Sequence, residues 1–176
     1  MRKVYIAGSF YKDGNSLKND FRSKLLGNED ILWNECKNAK VNIFNETMQY
    51  VGPFFYYTEK EKEYRKIGLT EQEIIVMLEK QSVESCDVFI AYFGTKASPG
   101  TVAELIHATE HGKDIFIFYL KTENGRDFKS EYWFPILMAK EVSGENSSRF
   151  EMSEVSSIDE CLNMLRMGAK EESITF

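Results

Sequence analysis

Cysteine, histidine and proline are scarce in this chain, and the first two scarcities close off whole classes of function. Its 176 residues hold three cysteines, two histidines and three prolines. Cys36, Cys86 and Cys161 are odd in number and fall in no paired spacing, so neither a disulfide framework nor a zinc ribbon is indicated. His107 and His111 are too few for a histidine-rich metal centre, and no metal ion or organic cofactor is called for. Long hydrophobic runs are also missing, since nothing approaches the roughly 18 residues of a membrane span. The apolar start, Val4 to Ala7, is cut by Gly8-Ser9 and then by Lys12 and Asp13, too short for a signal-peptide core. Basic charge is in deficit, with 22 Lys and Arg against 28 Asp and Glu and a net charge of -6. A nucleic-acid polymer as main partner would need the opposite balance, although a local pocket can still hold one phosphate. The remaining class is a soluble protein of a reducing, cytoplasmic compartment, read as a single domain over residues 1–176, with 43% hydrophobic residues to build a core.

What the chain does contain is an alternation of apolar strands and helices. Lys3 to Ser9 reads as a buried strand ending in a glycine turn. Ser16 to Leu26 reads as a helix capped by Ser16, with Leu17, Phe21, Leu25 and Leu26 on one face. From Gly27 to Ile67 the pattern is weak. It offers a short strand at Val41 to Phe44, an aromatic cluster from Tyr50 to Tyr57 around Gly52-Pro53, and a charged run, Glu59 to Lys66, that reads as a solvated face. The aromatic cluster is either core or a stacking surface for a base. Thr70 and Glu73 have capping-box spacing and open a helix to Ser85. Asp87 to Phe93 is a second strand, Val102 to His111 a helix stopped at Gly112, and Asp114 to Leu120 a third strand. Helices follow from Tyr132 to Ala139 and from Ile158 to Met167. This order predicts an α/β fold, a mainly parallel sheet with helices on both faces. Function is then expected at the carboxyl ends of the strands: Gly8 to Asp13, Gly94 to Glu104, and the loop after Leu120.

Thr101 and Glu104 admit two readings. Three residues apart, they can form a capping box. Alternatively, Ser98-Pro99-Gly100 turns the chain and sets Glu104 at a helix start facing the cleft, where free amides keep its carboxylate ionised. Such a carboxylate is what attack on a sugar carbon requires.

The strand Lys3-Val4-Tyr5-Ile6-Ala7-Gly8-Ser9, the run Cys86-Asp87-Val88-Phe89-Ile90-Ala91, and Gly100-Thr101-Val102-Ala103-Glu104-Leu105 with Ala108 and Gly112-Lys113 occur in that order. With the later Glu131-Tyr132-Trp133-Phe134, they resemble the nucleoside 2-deoxyribosyltransferase family, including its deoxynucleoside 5'-monophosphate N-glycosidases. Gly27 to Ile67 lies outside the resemblance. The resemblance implies a flavodoxin-like fold and cleavage of the bond between a base and a deoxyribose through a covalent glycosyl-glutamate. Glu104 matches the nucleophile, and Tyr5 matches the tyrosine that orients it; the plain alternative for Tyr5 is a core aromatic. The family's second carboxylate is an aspartate eight residues before the one opening the second strand. Counting back from Asp87 reaches Glu79, a departure from Asp to Glu, with Glu84 as the fallback.

Gly8, Ser9, Phe10, Lys12, Ser98, Gly100 and Thr101 are the implied substrate-binding positions. Ser98, six residues before Glu104, stands where free-nucleoside transferases carry an aspartate and monophosphate hydrolases a serine. A hydroxyl with loop amides can accept a phosphate that an aspartate would repel; a turn serine before Pro99 is the plain alternative. The arginines those hydrolases place after the first strand are absent, and Lys12 is the one cation in Gly8-Ser9-Phe10-Tyr11-Lys12-Asp13-Gly14. The resemblance further implies a homo-oligomer that completes its sites with residues of a neighbouring subunit. The expected activity is transfer or hydrolysis on a small nucleoside or its 5'-monophosphate. The rival from another class is a non-catalytic nucleotide-sensing module on the same fold, and a third reading is a glycosidase opening another N-ribosyl bond.

Overall fold

Apolar runs without polar interruption have to be covered on both faces, and they occupy the centre of one sheet. The structure, a computed structural model, describes residues 1–9, 17, 20–27, 30–31, 35–53, 59–94, 99–121 and 128–167. Its elements in chain order are β1 (Lys3–Gly8), α1 (Phe21–Leu26), β2 (Lys40–Ile43), β3 (Glu46–Gly52), α2 (Glu59–Lys66), α3 (Glu71–Ser85), β4 (Val88–Phe93), α4 (Pro99–Glu110), β5 (Asp114–Leu120), α5 (Phe128–Glu145), β6 (Phe150–Val155) and α6 (Ile158–Met167). The strand order is β2-β3-β1-β4-β5-β6. The β2–β3 pair is antiparallel and every other pair parallel. This is the flavodoxin-like α/β arrangement expected from the sequence. β1 lies between β3 and β4, the point at which strand order reverses and where open α/β sheets hold their ligands.

Side-chain alternation divides the core in two. Val4, Ile6, Val88, Ile90, Phe116 and Phe118 face one way, against Leu17, Cys161 and Leu165 of the α1 and α6 layer. Tyr5, Ala7, Phe89, Ala91, Ile115 and Ile117 face the other, against Val83, Leu105, Ala108 and Ile136 from α3, α4 and α5. Each strand position is therefore committed to one helical layer, and Tyr5 belongs to the layer of α3 and α4. Among the described residues, no helix is long and apolar enough to cross a membrane.

Several boundaries differ from the sequence reading, each for a local reason. α1 starts at Phe21 under an Asp20 cap whose carboxylate accepts from the Arg22 amide, and Ser16 lies outside the described residues. β3 and β6 were not anticipated: ETMQYVG and FEMSEV carry Glu, Thr, Gln and Ser among their apolar residues, which hides a half-covered strand. α5 is longer than Tyr132 to Ala139 and passes through Pro135. The charged run Glu59–Lys66 is a helix, and its residues 62, 63, 65 and 66 are exposed, as a solvated face would be. α3 opens with the Thr70–Glu73 capping box and ends at Ser85, where expected.

The carboxyl end of β1 is held by a buried ion pair. Arg22, fully buried, places Nη1 at 2.8 and 2.7 Å from the two Asp20 carboxylate oxygens. Its Nε donates to the Ile6 carbonyl and its Nη2 to the Gly8 carbonyl, both at 2.8 Å. Removing one partner of such a pair leaves a charge without compensation in the interior. Asp20→Ala is expected to lose about 3–5 kcal/mol of unfolding free energy in urea titration. Lys24→Ala, which removes an exposed pair with Asp159, should lose under about 1 kcal/mol. Equal losses for the two variants would contradict the strut.

Candidate active site

Strand parity and one missing side chain fix the ring of Tyr5. It is fully buried and stacks on Phe89 of the adjacent strand, with centroids 5.6 Å apart and planes 8° apart. On the other side β3 ends in Gly52, where a Cβ would come within 2.5 and 2.7 Å of the Tyr5 ring. Held there, the Tyr5 hydroxyl lies 2.6 Å from Oε2 of Glu79 and 2.7 Å from Oε1 of Glu104. α3 supplies Glu79 on its buried face beside Leu78 and Val83. α4 supplies Glu104, half-buried, with Thr101 one turn before it and Ala108 one turn after, both buried.

A phenol has one hydrogen, so it can donate to only one of these carboxylates at a time. A satisfied arrangement needs a second proton, carried by one carboxyl and offered to the phenol oxygen. Burial, then the negative charges of Glu79 and Glu104, hold the Tyr5 phenol well above its ordinary pKa, so it stays a donor at neutral pH. Burial raises the Glu104 carboxyl as well, opposed by the Tyr5 hydrogen bond and by the positive charge of Arg22. A carboxylate next to a phenol and a guanidinium, on the wall of a cleft, has the character of a tuned functional group. The thiols offer no competing nucleophile: burial pushes Cys36, Cys86 and Cys161 each up to about 12.

The capping-box reading of Thr101 and Glu104 does not hold. α4 begins at Pro99, so Thr101 is its third helical residue and is buried inside the helix. Glu104 is the sixth, beyond the free amides of the first turn, and its carboxylate is bound by Tyr5 instead. The expected helix-start stabilisation of Glu104 fails for the same reason.

The cleft above the triad has a volume of about 680 Å³. Gly8, Ser9, Glu79, Gly100, Thr101 and Glu104 all line it, so six of the residues named from the sequence meet at one place. Tyr5 lies beneath its floor. Apolar walls come from Ile75, Val76 and Val83 of α3 and Ile106 of α4, and Lys80 brings a cation. Phe10, Lys12, Ser98 and residues 54–58 of the aromatic cluster lie outside the described residues. Of its described residues, Tyr50 and Val51 are core, and Pro53 lines the cleft. Glu84, the fallback carboxylate, is not at Tyr5; it pairs with His107 Nε2 at 3.1 Å.

Sequence reasoning missed Arg22. Folding of α1 brings it back to the end of β1, where it bonds two carbonyls and lends charge to the Glu104 site. Gly8 makes that approach feasible: its φ is +154°, and a Cβ would lie 3.0 Å from the Tyr92 carbonyl oxygen and 3.3 Å from the Phe21 ring. The available signal was Asp20 two residues before Arg22 at a helix start, a local pair that the hydrophobic pattern does not register.

No known protein-family model matches the chain, and no curated protein does. Solved structures to which it is similar include the Clostridium botulinum CMP N-glycosidase BcmB, 22% identical over 61% of this chain and 91% of that one, with a TM-score of 0.40. A variant of SsGBP is 18% identical over 94% of this chain and 54% of that one, with a TM-score of 0.47. A probable GTP-binding protein, engB, is 13% identical over 92% and 94%, with a TM-score of 0.42.

The raised Glu104 carboxyl makes a stability prediction whose sign is fixed. A carboxyl that holds its proton more tightly when folded contributes fully below the unfolded pKa, about 4.3, and loses that contribution as pH climbs through the folded value. Glu104→Gln removes the titration. The variant is expected to unfold at higher denaturant than wild type at pH 7, with the gap closing toward pH 4. A difference that is constant across this range would show that Glu104 is not under strain from burial.

Proposed function

We propose that this protein cleaves the N-glycosidic bond of a nucleoside or its 5'-monophosphate, with a deoxyribose as the favoured sugar, through a covalent glycosyl-Glu104 intermediate. The observation that carries the reading is one buried phenol bonded to two carboxylates from different helices at the floor of a cleft. The two carboxylate oxygens facing the phenol can be no farther apart than its two contacts laid end to end, about 5.3 Å. Two carboxyls gathered on one phenol in this way suit attack by one of them better than a pair spread apart to admit a water. The family resemblance of the sequence supports the same chemistry.

In this reading Glu104 is the ionised partner. Tyr5 donates its hydrogen to Oε1 and holds the attacking rotamer, while Glu79, the more buried carboxyl, carries the second proton. The free Glu104 oxygen forms a bond to the anomeric carbon as the bond to the base nitrogen breaks. The departing electron pair takes a proton from Glu79. A second base, or water, then attacks the same carbon, gives its proton back to Glu79, and releases Glu104 with net retention. Two carboxyls gathered around one buried phenol would be a poor choice for a module that only binds, because taking them out of water costs stability without adding a contact to neutral sugar. The apolar walls suit a base, and Lys80, with Lys12 and Ser98 from the sequence, supports a 5'-phosphate. We also propose a homo-oligomer, supported by the exposed run Trp133, Phe134, Leu137 and Met138 on α5.

The test is a panel of nucleosides and 5'-monophosphates, with and without an acceptor base, read by chromatography of products. Glu104→Ala is expected to lose at least ~10³-fold in kcat, about 4 kcal/mol of barrier. Tyr5→Phe should lower kcat and leave KM nearly unchanged. Retention of more than about a tenth of wild-type activity by Glu104→Gln, under ~1.4 kcal/mol, would refute the nucleophile.

A further prediction concerns Ser98. Ser98→Asp should lower the kcat/KM ratio of a deoxynucleoside monophosphate over its nucleoside at least tenfold, through repulsion of the dianion. An unchanged ratio would remove Ser98 from phosphate recognition.

A further inference from the structure

α3 and α4 wall the cleft together, and one turn beyond Glu79 and Glu104 they bring three other groups into contact. His107 and His111 are four residues apart on α4, a spacing that puts both rings on one helix face, and their centroids are 4.3 Å apart. Glu84 reaches across from α3, its Oε1 3.1 Å from His107 Nε2 and 3.9 Å from His111 Nε2. One ligand atom from each of the three lies within 4.8 Å of the other two.

The hydrogen bonding of His111 orients its ring within this cluster. Its Nδ1 lies 2.8 Å from the His107 carbonyl oxygen. A carbonyl only accepts, so Nδ1 carries the hydrogen and, in the neutral ring, Nε2 presents a lone pair. In that ring form the Nε2 lone pair lies 3.9 Å from Glu84 Oε1, a carboxylate oxygen that is itself an acceptor. A backbone carbonyl holding one ring nitrogen while the other is left free is also how metal-binding histidines are oriented. Lys113 Nζ donates to the Glu84 backbone carbonyl at 2.6 Å, not to its carboxylate.

We propose that Glu84, His107 and His111 form a binding site for a divalent transition-metal ion, with Zn²⁺ the best match. Tetrahedral zinc with bonds of about 2.0–2.1 Å sets its ligand atoms roughly 3.3 Å apart. The Glu84 spacings of 3.1 and 3.9 Å, and a histidine–histidine spacing within 4.8 Å, close to this value by side-chain rotation, and the side chains of Glu84 and His111 are 44% and 40% exposed. On binding, His107 moves its hydrogen to Nδ1 and offers Nε2 to the ion. Two imidazoles and one carboxylate favour zinc over magnesium or calcium, which take oxygen ligands. The fourth position stays open to water. His107 also lines the cleft, so the ion would join its two helical walls at the rim. The site is separate from the Glu104 chemistry and does not depend on it.

The experiment uses the full chain, stripped with a chelator and titrated with ZnCl₂ against a chromophoric zinc indicator. Thermal melts with ZnCl₂ or MgCl₂ accompany it. Wild type is expected to bind one equivalent of Zn²⁺ and to melt at higher temperature with it, with no shift from Mg²⁺. Glu84→Gln and His111→Ala, both at exposed positions, should remain folded by circular dichroism and bind Zn²⁺ at least tenfold more weakly. Failure of wild type to bind overturns the proposal. So does binding by either variant within tenfold of wild type, because the ion would then sit elsewhere or on the histidine pair alone.

Discussion

A buried phenol held within hydrogen-bond reach of two carboxyls, one buried and one half-buried, is the constraint around which the rest of this molecule is arranged. Tyr5 satisfies both Glu79 and Glu104 only if its oxygen stays within hydrogen-bond reach of two different helices. That requires a ring that cannot swing. β1 therefore sits inside the sheet, Phe89 stacks on one side, and the chain passes the other side at a glycine. α3 and α4 must in turn cross the sheet at heights that bring their carboxyls to the same point. Loss of any one of these conditions would cost a carboxyl its hydrogen bond to Tyr5, which is costlier in the interior than a missing surface contact.

The same constraint explains why a site so poor in net positive charge has a guanidinium beneath it. Arg22 is neutralised locally by Asp20 and anchored on two β1 carbonyls, so it adds field without adding a mobile cation to the cleft. Its charge opposes the desolvation of Glu104. Burial of an acid and correction by a fixed cation act in opposite directions, and the balance between them sets how readily the carboxylate forms.

Much of the architecture was legible in the sequence because the central strands are apolar on both faces. Asp114–Leu120 and Ile158–Met167 have the bounds the pattern predicts, and α3 has its capping box. β3 and β6 escaped notice because polar residues interrupt their apolar positions. At the site, Tyr5, Glu79 and Glu104 are far apart in the chain, and composition alone says nothing of their meeting; only the family resemblance implied that they act together. Spacing misled at Thr101, where a capping-box interval falls inside a helix that had already begun at Pro99. Arg22 and the Glu84–His107–His111 cluster were out of reach, since each depends on which faces of separate elements come together.

The proposed chemistry requires a covalent bond between Glu104 and the sugar. Mass spectrometry of protein quenched during reaction with a nucleoside carrying a 2-fluoro sugar that slows the second step, followed by peptide mapping, detects that bond. A mass increase of one glycosyl unit is expected on the peptide holding Glu104, absent from Glu104→Gln. Product formation with the label on another residue, or with inverted configuration and no labelled protein, would contradict it.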